Sequence, residues 1–252
     1  EMSRGLGDVY KRQVIITAFS NLFGTGGAPL FSIARGKGDR EEASQIMNTS
    51  FTMLCCCAVM LMLFGLIFAR PILRIFGASN EALPYAYPYM MIYLLGTVAS
   101  MIATGMNPFI NSQGYSTVGM LSVALGAITN LILDPVFIFV LDFGIKGAAI
   151  ATILSQFLSA AFVVNFLHNK AEYRVKLLKF RELADSLTLL KNIVSLGTAG
   201  FIMQLTNSLV TICCNNVLAV TGGDLYVSVM TIVSSVRQII ETCLLYTSPS
   251  PR

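Results

Sequence analysis

Asn130 and Asp134 stand four residues apart in NLILDP, inside SVALGAITNLILDPVFIFVL (residues 122–141), a run that is otherwise almost wholly apolar. Residues four apart share one face of a helix. Ser122, Gly126, Asn130 and Asp134 therefore form a drifting stripe of small and polar side chains on a greasy rod. A carboxylate at bilayer depth costs about 2.5–3.5 kcal/mol on insertion scales. That cost predicts an interior, water-accessible place for Asp134, in the outer half of its span. Pro135 brings no N–H to the Leu131 carbonyl. A carboxylate, an amide and a released carbonyl make a cation site, at which a proton or a sodium ion exchanges as access alternates. The structural alternative is an aspartate that caps a neighbouring helix or pairs with a lysine.

The elements that must position these groups follow from composition. Hydrophobic residues make up 55% of the 252 and charged residues only 12%, and the mean hydropathy is +0.71. A soluble domain carries about 25% charged residues, so a polytopic all-α membrane protein is implied. The net charge of +4 is then no sign of nucleic-acid binding. What matters is where the basic residues lie. Apolar length and flanking charge predict spans at 14–33, 45–69, 85–108, 118–141, 148–167 and 189–220, with a seventh from 225.

Arg35, Lys37 and Arg40 follow the first span. Lys170, Arg174, Lys176, Lys179, Arg181 and Lys191 follow the fifth. Four crossings separate the two groups, so both face the cytoplasm under the positive-inside rule. Arg70 and Arg74 then fall outside, a mild violation, as do the loops DFGIKG and TGGD. Leu177, Leu178, Leu183 and Leu187 suggest an amphipathic helix at the inner surface, with a solvated linker as the alternative. Cys55, Cys56 and Cys57 are consecutive, and Cys213 and Cys214 are adjacent. Metal sites want separated pairs, so these thiols read as small hydrophobes. His168 reads as an interfacial residue.

The two ends differ from what they adjoin. One coding of Asp8–Gln13, reversed and complemented, encodes Cys243–Ser248, and extending it upstream gives the remaining Pro-Ser-Pro-Arg. Both tails thus translate one oligonucleotide in opposite orientations and resemble a sequencing-library adapter. The expected organisation is adapter-like residues 1–13, a first bundle at 14–167, a cytoplasmic amphipathic linker at 168–188, the start of a second bundle at 189–242, and adapter-like residues 243–252.

The run GAITNLILDPVFIFVLDFGIKGAAIATILSQ resembles the fifth and sixth helices of the MATE family, the multidrug and toxic compound extrusion transporters. GGAPLFSIARGKGDREEA resembles the turn after that family's second helix, and NPFINSQGYSTVGM the end of its fourth. The resemblance covers nearly all of 14–242. It implies a twelve-helix fold of two six-helix bundles, here truncated to helices two to about eight, with helix one and helices nine to twelve missing. It also implies a cation site in the first bundle, with Asn107, Asn130, Asp134 and Thr152 at the matching positions and a helix-one carboxylate upstream. Members with a second-bundle site carry an acid on helix seven. Here GFIMQLTNSLV offers Gln204, which favours coupling through Asp134 and leaves Gln204 to touch substrate or bridge helices. Met90, Met91, Met101, Met106 and Tyr93 are candidates for a promiscuous cavity, against packed core or a lipid-facing surface.

The implied function is a secondary antiporter that exports drugs or other amphipathic, cationic compounds for H+ or Na+. The expected setting is a multi-pass protein of the plasma or inner membrane, acting as a monomer. Its partners are a small-molecule substrate and the bilayer, without nucleic acid, and it needs no cofactor or metal beyond the coupling ion. No G-x-x-x-x-G-K-[ST] motif suggests a nucleotide-driven pump. A lipid-linked saccharide flippase of the wider superfamily is the alternative. It would line its cavity with basic residues, for which Arg237 is the main candidate. A membrane-embedded enzyme would need a converging nucleophile, base or metal set, and the chain shows none. A half-transporter without helix one is expected to be unstable or inactive, because its polar interior faces would lack partners.

Overall fold

The computed structural model describes residues 2–71, 83–178 and 186–247. Arg74, Lys179, Arg181 and Leu183 lie outside the described residues. The elements are α1 (Met2–Gly36), α2 (Arg40–Ile67), α3 (Leu83–Leu95), α4 (Thr97–Ser112), α5 (Ser116–Pro135), a π-helical turn (Val136–Val140), α6 (Gly144–Asn169) and α7 (Leu187–Thr247). The described residues contain helices and loops but no strand. Four helical segments are long and apolar enough to cross a membrane: Arg40–Ile67, Ser116–Val140, Lys146–Asn169 and Leu187–Thr211.

Two turns are written plainly in the sequence. In ARGKGDREEA, Gly38 takes the left-handed conformation at φ 79°, and the Asp39 N–H returns to the Ala34 carbonyl at 3.1 Å. This is the glycine-terminated helix ending that a Cβ would strain. Asp39 then caps α2, accepting the Glu42 N–H at 2.9 Å, with Glu41 and Glu42 in the first turn where the helix dipole favours acids. NSQGYS repeats the device. Gly114 sits at φ 90°, and the Tyr115 N–H reaches the Ile110 carbonyl at 3.2 Å.

The chain divides into two compact units, Glu1–Gln204 and Leu205–Arg252. The first has its core between α1, α2 and α4, where Phe31, Phe109, Met47, Leu54 and Met106 are almost fully buried. Phe31 packs edge-on against Phe109 and against Tyr173, with ring centroids 5.8 and 5.1 Å apart. Backbones approach closely where side chains vanish. A Cβ on Gly26 would strike the Ile193 carbonyl, and one on Gly197 would strike the Leu22 carbonyl. Small residues at such crossings are the usual means of packing helices in lipid. The second unit is the remainder of α7, with Leu209, Val217, Val233 and Val236 exposed.

Several elements depart from the sequence expectation. The span expected at 85–108 is broken at Gly96, whose N–H bonds the Tyr93 carbonyl at 3.0 Å in a turn between α3 and α4. TGGD (residues 221–224), expected as an external loop, stays helical within α7. Two glycines weaken a helix by about 1 kcal/mol each, but no proline removes a backbone donor there. Residues 2–13 and 243–247, for which the sequence sets no structural expectation, are helical as well, and neither stretch contains a proline to interrupt it.

The linker departs most. Residues 174–178 have no helical structure. Ala171, Tyr173 and Val175 are buried, while Glu172, Arg174 and Lys176 face outward. That period of two belongs to an extended chain, and its backbone donors are met by side chains of the helices beneath. The Tyr173 N–H donates to Gln113 Oε1 at 3.2 Å, the Lys176 N–H to Asn48 Oδ1 at 2.8 Å, and the Leu178 N–H to Thr52 Oγ1 at 3.1 Å. An amphipathic helix over these residues is therefore corrected to a strap lying across α2 and α4. Glu172 anchors its edge, 3.3 Å from Arg35 and 3.4 Å from Arg40.

Candidate functional site

The stripe on α5 meets a complementary stripe on α6. At one end Ser159 Oγ donates to the Ser122 carbonyl at 2.9 Å. One turn on, a Cβ on Gly126 would meet Ser159 Cβ at 3.4 Å and the Ser155 carbonyl at 3.7 Å. At the far end Asn130 Nδ2 reaches Asp134 Oδ1 at 3.2 Å and Thr152 Oγ1 at 3.5 Å. Positions on α5 rise as those on α6 fall, so the two helices run antiparallel with their small and polar faces zipped together. The opposite face of α5 carries Val123, Ile128, Leu131 and Ile132, all more than half exposed, as a lipid-facing surface requires.

Asn130, Asp134 and Thr152 thus come together. Asp134 is half-buried and enters no ion pair among the described residues; its partner there is the neutral amide of Asn130. Thr152 Oγ1 also donates to the Ala148 carbonyl at 2.9 Å, which leaves its lone pairs directed to the seam. Below the carboxylate α5 runs on through Pro135 and widens into the π turn Val136–Val140, closed by the Leu141 N–H on the Val136 carbonyl at 3.0 Å. Pi turns inside helices gather at functional sites. α6 comes close at the same level: a Cβ on Gly147 would lie 2.6 Å from the Phe137 carbonyl oxygen.

Asn107 sits elsewhere. It is 9% exposed, and its Nδ2 donates to the Gly119 carbonyl and to Ser122 Oγ, both at 3.0 Å. Its Oδ1 accepts from Asn111 Nδ2 at 3.1 Å. On α5, Ser122 lies two turns from Asn130, about 12 Å along the axis, and Gly119 three turns, about 16 Å. The hydrogen bonds make Asn107 a clamp between α4 and α5. Gln204 is half-buried on α7, at the close of the first unit. Met90, Met101 and Met106 are buried to 2%, 0% and 1% exposure, with Tyr93 at 6%. They are packed core. Met91 is half-buried against the small cluster of Ala69, Met90 and Leu94. Cys55, Cys56, Cys57, Cys213 and Cys214 are free thiols.

Ser155, Ser159 and Asn111 complete the seam and the clamp, and the sequence reading passes them over. Ser155 and Ser159 follow Thr152 at steps of three and four, the spacing of one helix face. That signal becomes informative only once α6 is known to lie against α5.

A family model described as MatE matches residues 12–136. The structure superposes on an inward-facing multidrug resistance MATE family transporter of the MOP superfamily with a TM-score of 0.78 and 28% identity, covering 90% of this chain and 52% of that one. The outward-facing conformation gives 0.81 and 27% over 93% of this chain and 52% of that one. The chain belongs to the MATE family. It is 26% identical over 212 residues to the multidrug export protein MepA of Staphylococcus haemolyticus, covering 83% of this chain and 46% of that protein. The chain therefore spans about half the length of the MATE relatives it matches. It is an all-helical membrane protein, and the family and these relatives are transporters.

Proposed function

We propose that the protein is a secondary multidrug antiporter of the MATE type, set in the plasma or inner membrane, with Asp134 as the coupling carboxylate. The observation that carries this reading is the cluster of Asp134, Asn130 and Thr152. It is an intramembrane carboxylate held by an uncharged amide and a hydroxyl, with no counter-ion among the described residues. A group in that setting has two ways to relieve its charge: it takes a proton, or it takes a small cation. The hard oxygen donors suit both. For a cation, the Asn130 amide must turn its Oδ1 toward the site in place of the Nδ2 it now offers Asp134. Loading and unloading at Asp134 would then bias the two conformations, which is how a ligand shifts such an equilibrium.

The relatives support the same reading. MepA is described as a multidrug export protein. The chain fits the inward- and outward-facing transporter structures about equally well, which agrees with a bundle that keeps its internal packing while access alternates. Amphipathic or cationic compounds are the expected cargo, and H+ or Na+ the expected coupling ion. The test is Asp134→Asn in the full-length protein, reconstituted in vesicles under an imposed proton or sodium gradient. Export of a cationic dye should fall to the level of empty vesicles in the variant. Dye export that persists at the parental rate would remove Asp134 from the coupling step. The gradient that drives export in the parent identifies the ion.

A further inference from the structure

We propose that the hollow between the first turns of α5 and the last turns of α6 is a binding site for one anionic phospholipid. The hollow holds about 180 Å³ and is lined by Val118, Phe162, Phe166, Asn165 and Lys170. Val118, Phe162 and Phe166 are half-buried, and they give it an apolar floor suited to an acyl chain. The rim is polar. Lys170 is exposed and enters no ion pair among the described residues. Asn165 Oδ1 accepts from Asn169 Nδ2, so the Asn165 amide is steadied with its own N–H groups directed outward.

The level is that of a membrane interface. Tyr115, 37% exposed, packs edge-on against Phe166 with ring centroids 5.2 Å apart, in the manner of the aromatic residues that mark headgroup depth. Lys170 is the charged residue of the lining. A zwitterionic lipid would fill the floor equally well; the uncompensated charge at the rim favours a phosphate-bearing headgroup with net negative charge. One effect opposes it. Lys170 follows the C-terminus of α6, where a cation is favoured by the helix dipole alone, and the same carbonyls repel a phosphate.

Native mass spectrometry separates the two roles. The full chain is released from micelles holding equal amounts of phosphatidylglycerol and phosphatidylcholine with matched acyl chains. Phosphatidylglycerol adducts should exceed phosphatidylcholine adducts about fivefold, the effect of one lysine near a headgroup. Lys170→Gln should remove that preference, while Lys146→Gln at the other end of α6 leaves it intact. Val118→Trp, which fills the hollow and keeps Lys170, should lower adducts of both lipids. Equal binding of the two lipids by the parent chain would overturn the proposal, as would a preference that survives Lys170→Gln. Undiminished adducts in Val118→Trp would place the lipid outside the hollow and overturn it as well.

Discussion

Two regions of the first unit bury polar groups in apolar surroundings, and they do so in opposite ways. The strap at 171–178 saturates them. Its backbone donors land on Gln113, Asn48 and Thr52 at 2.8–3.2 Å, and its acid is shared by two arginines. The seam between α5 and α6 leaves its charge nearly alone. Asp134 has an amide at 3.2 Å, and that amide's second contact is stretched to 3.5 Å. A saturated polar contact has nothing to gain from a visiting ion. An under-saturated one does, because leaving a buried charge poorly solvated is expensive. The strap has the character of a fixture and the seam that of a place where occupancy matters.

Substitutions can break that contrast. The largest effect is expected at Asp134: Asp134→Asn should abolish gradient-driven export while thermal unfolding in detergent is unchanged or shifts upward, since an intramembrane charge costing about 2.5–3.5 kcal/mol is removed. A loss of stability instead would make Asp134 a fixture like the strap. Next comes the seam's packing. Gly126→Leu must wedge α5 from α6 at Ser155 and Ser159, and overpacking of this kind costs about 1–3 kcal/mol. Gly126→Ala, whose Cβ meets ordinary contact distances, should be tolerated; chemical denaturation in micelles compares the two.

In the strap the effects are smaller. Asn48→Ala removes the acceptor for the Lys176 N–H and should cost about 0.5–1.5 kcal/mol, the net worth of an ordinary hydrogen bond. Hydrogen exchange should report it as faster exchange at Lys176, with the amides of α5 unaffected. Smallest is Glu172→Gln, because exposed ion pairs contribute about 0–1 kcal/mol and are screened by salt. Its effect on stability should vanish in high salt, and a persistent one would mean that Glu172 does more than pair with Arg35 and Arg40.

The seam was half legible in the sequence. Ser122, Gly126, Asn130 and Asp134 lie on one face at a spacing that any helix imposes, against a background so apolar that each polar residue stands out. Thr152 was reached by resemblance, and Ser155 and Ser159 were missed because their meaning depends on which helix faces α5, a tertiary fact. Asn107 is a matching position by resemblance only, and its height on α4, which sets it against Ser122, is again a tertiary fact. At 171–178 the sequence leaves two readings open, a helical face through the leucines at 177, 178, 183 and 187 or a non-helical linker, and the described part is extended. The alternation of Ala171, Tyr173 and Val175 with charged residues was the stronger signal, and it predicts an extended chain. The break at Gly96 and the continuous helix through TGGD show the limit of punctuation by glycine. The same residue ends one helix and passes through another, because its local cost is small beside what packing decides.

The strap has one more consequence. Asn48, Thr52 and Gln113 hold it by main-chain N–H groups, which every residue but proline supplies. The outward positions at 172, 174 and 176 are therefore free to drift in chemistry without loosening the grip, so long as no proline enters at 173, 176 or 178. The vocabulary that recognises the strap is written in α2 and the end of α4, far from it in the chain. A library of linker variants would find a permissive surface there, and a separate library at the three acceptors a narrow one.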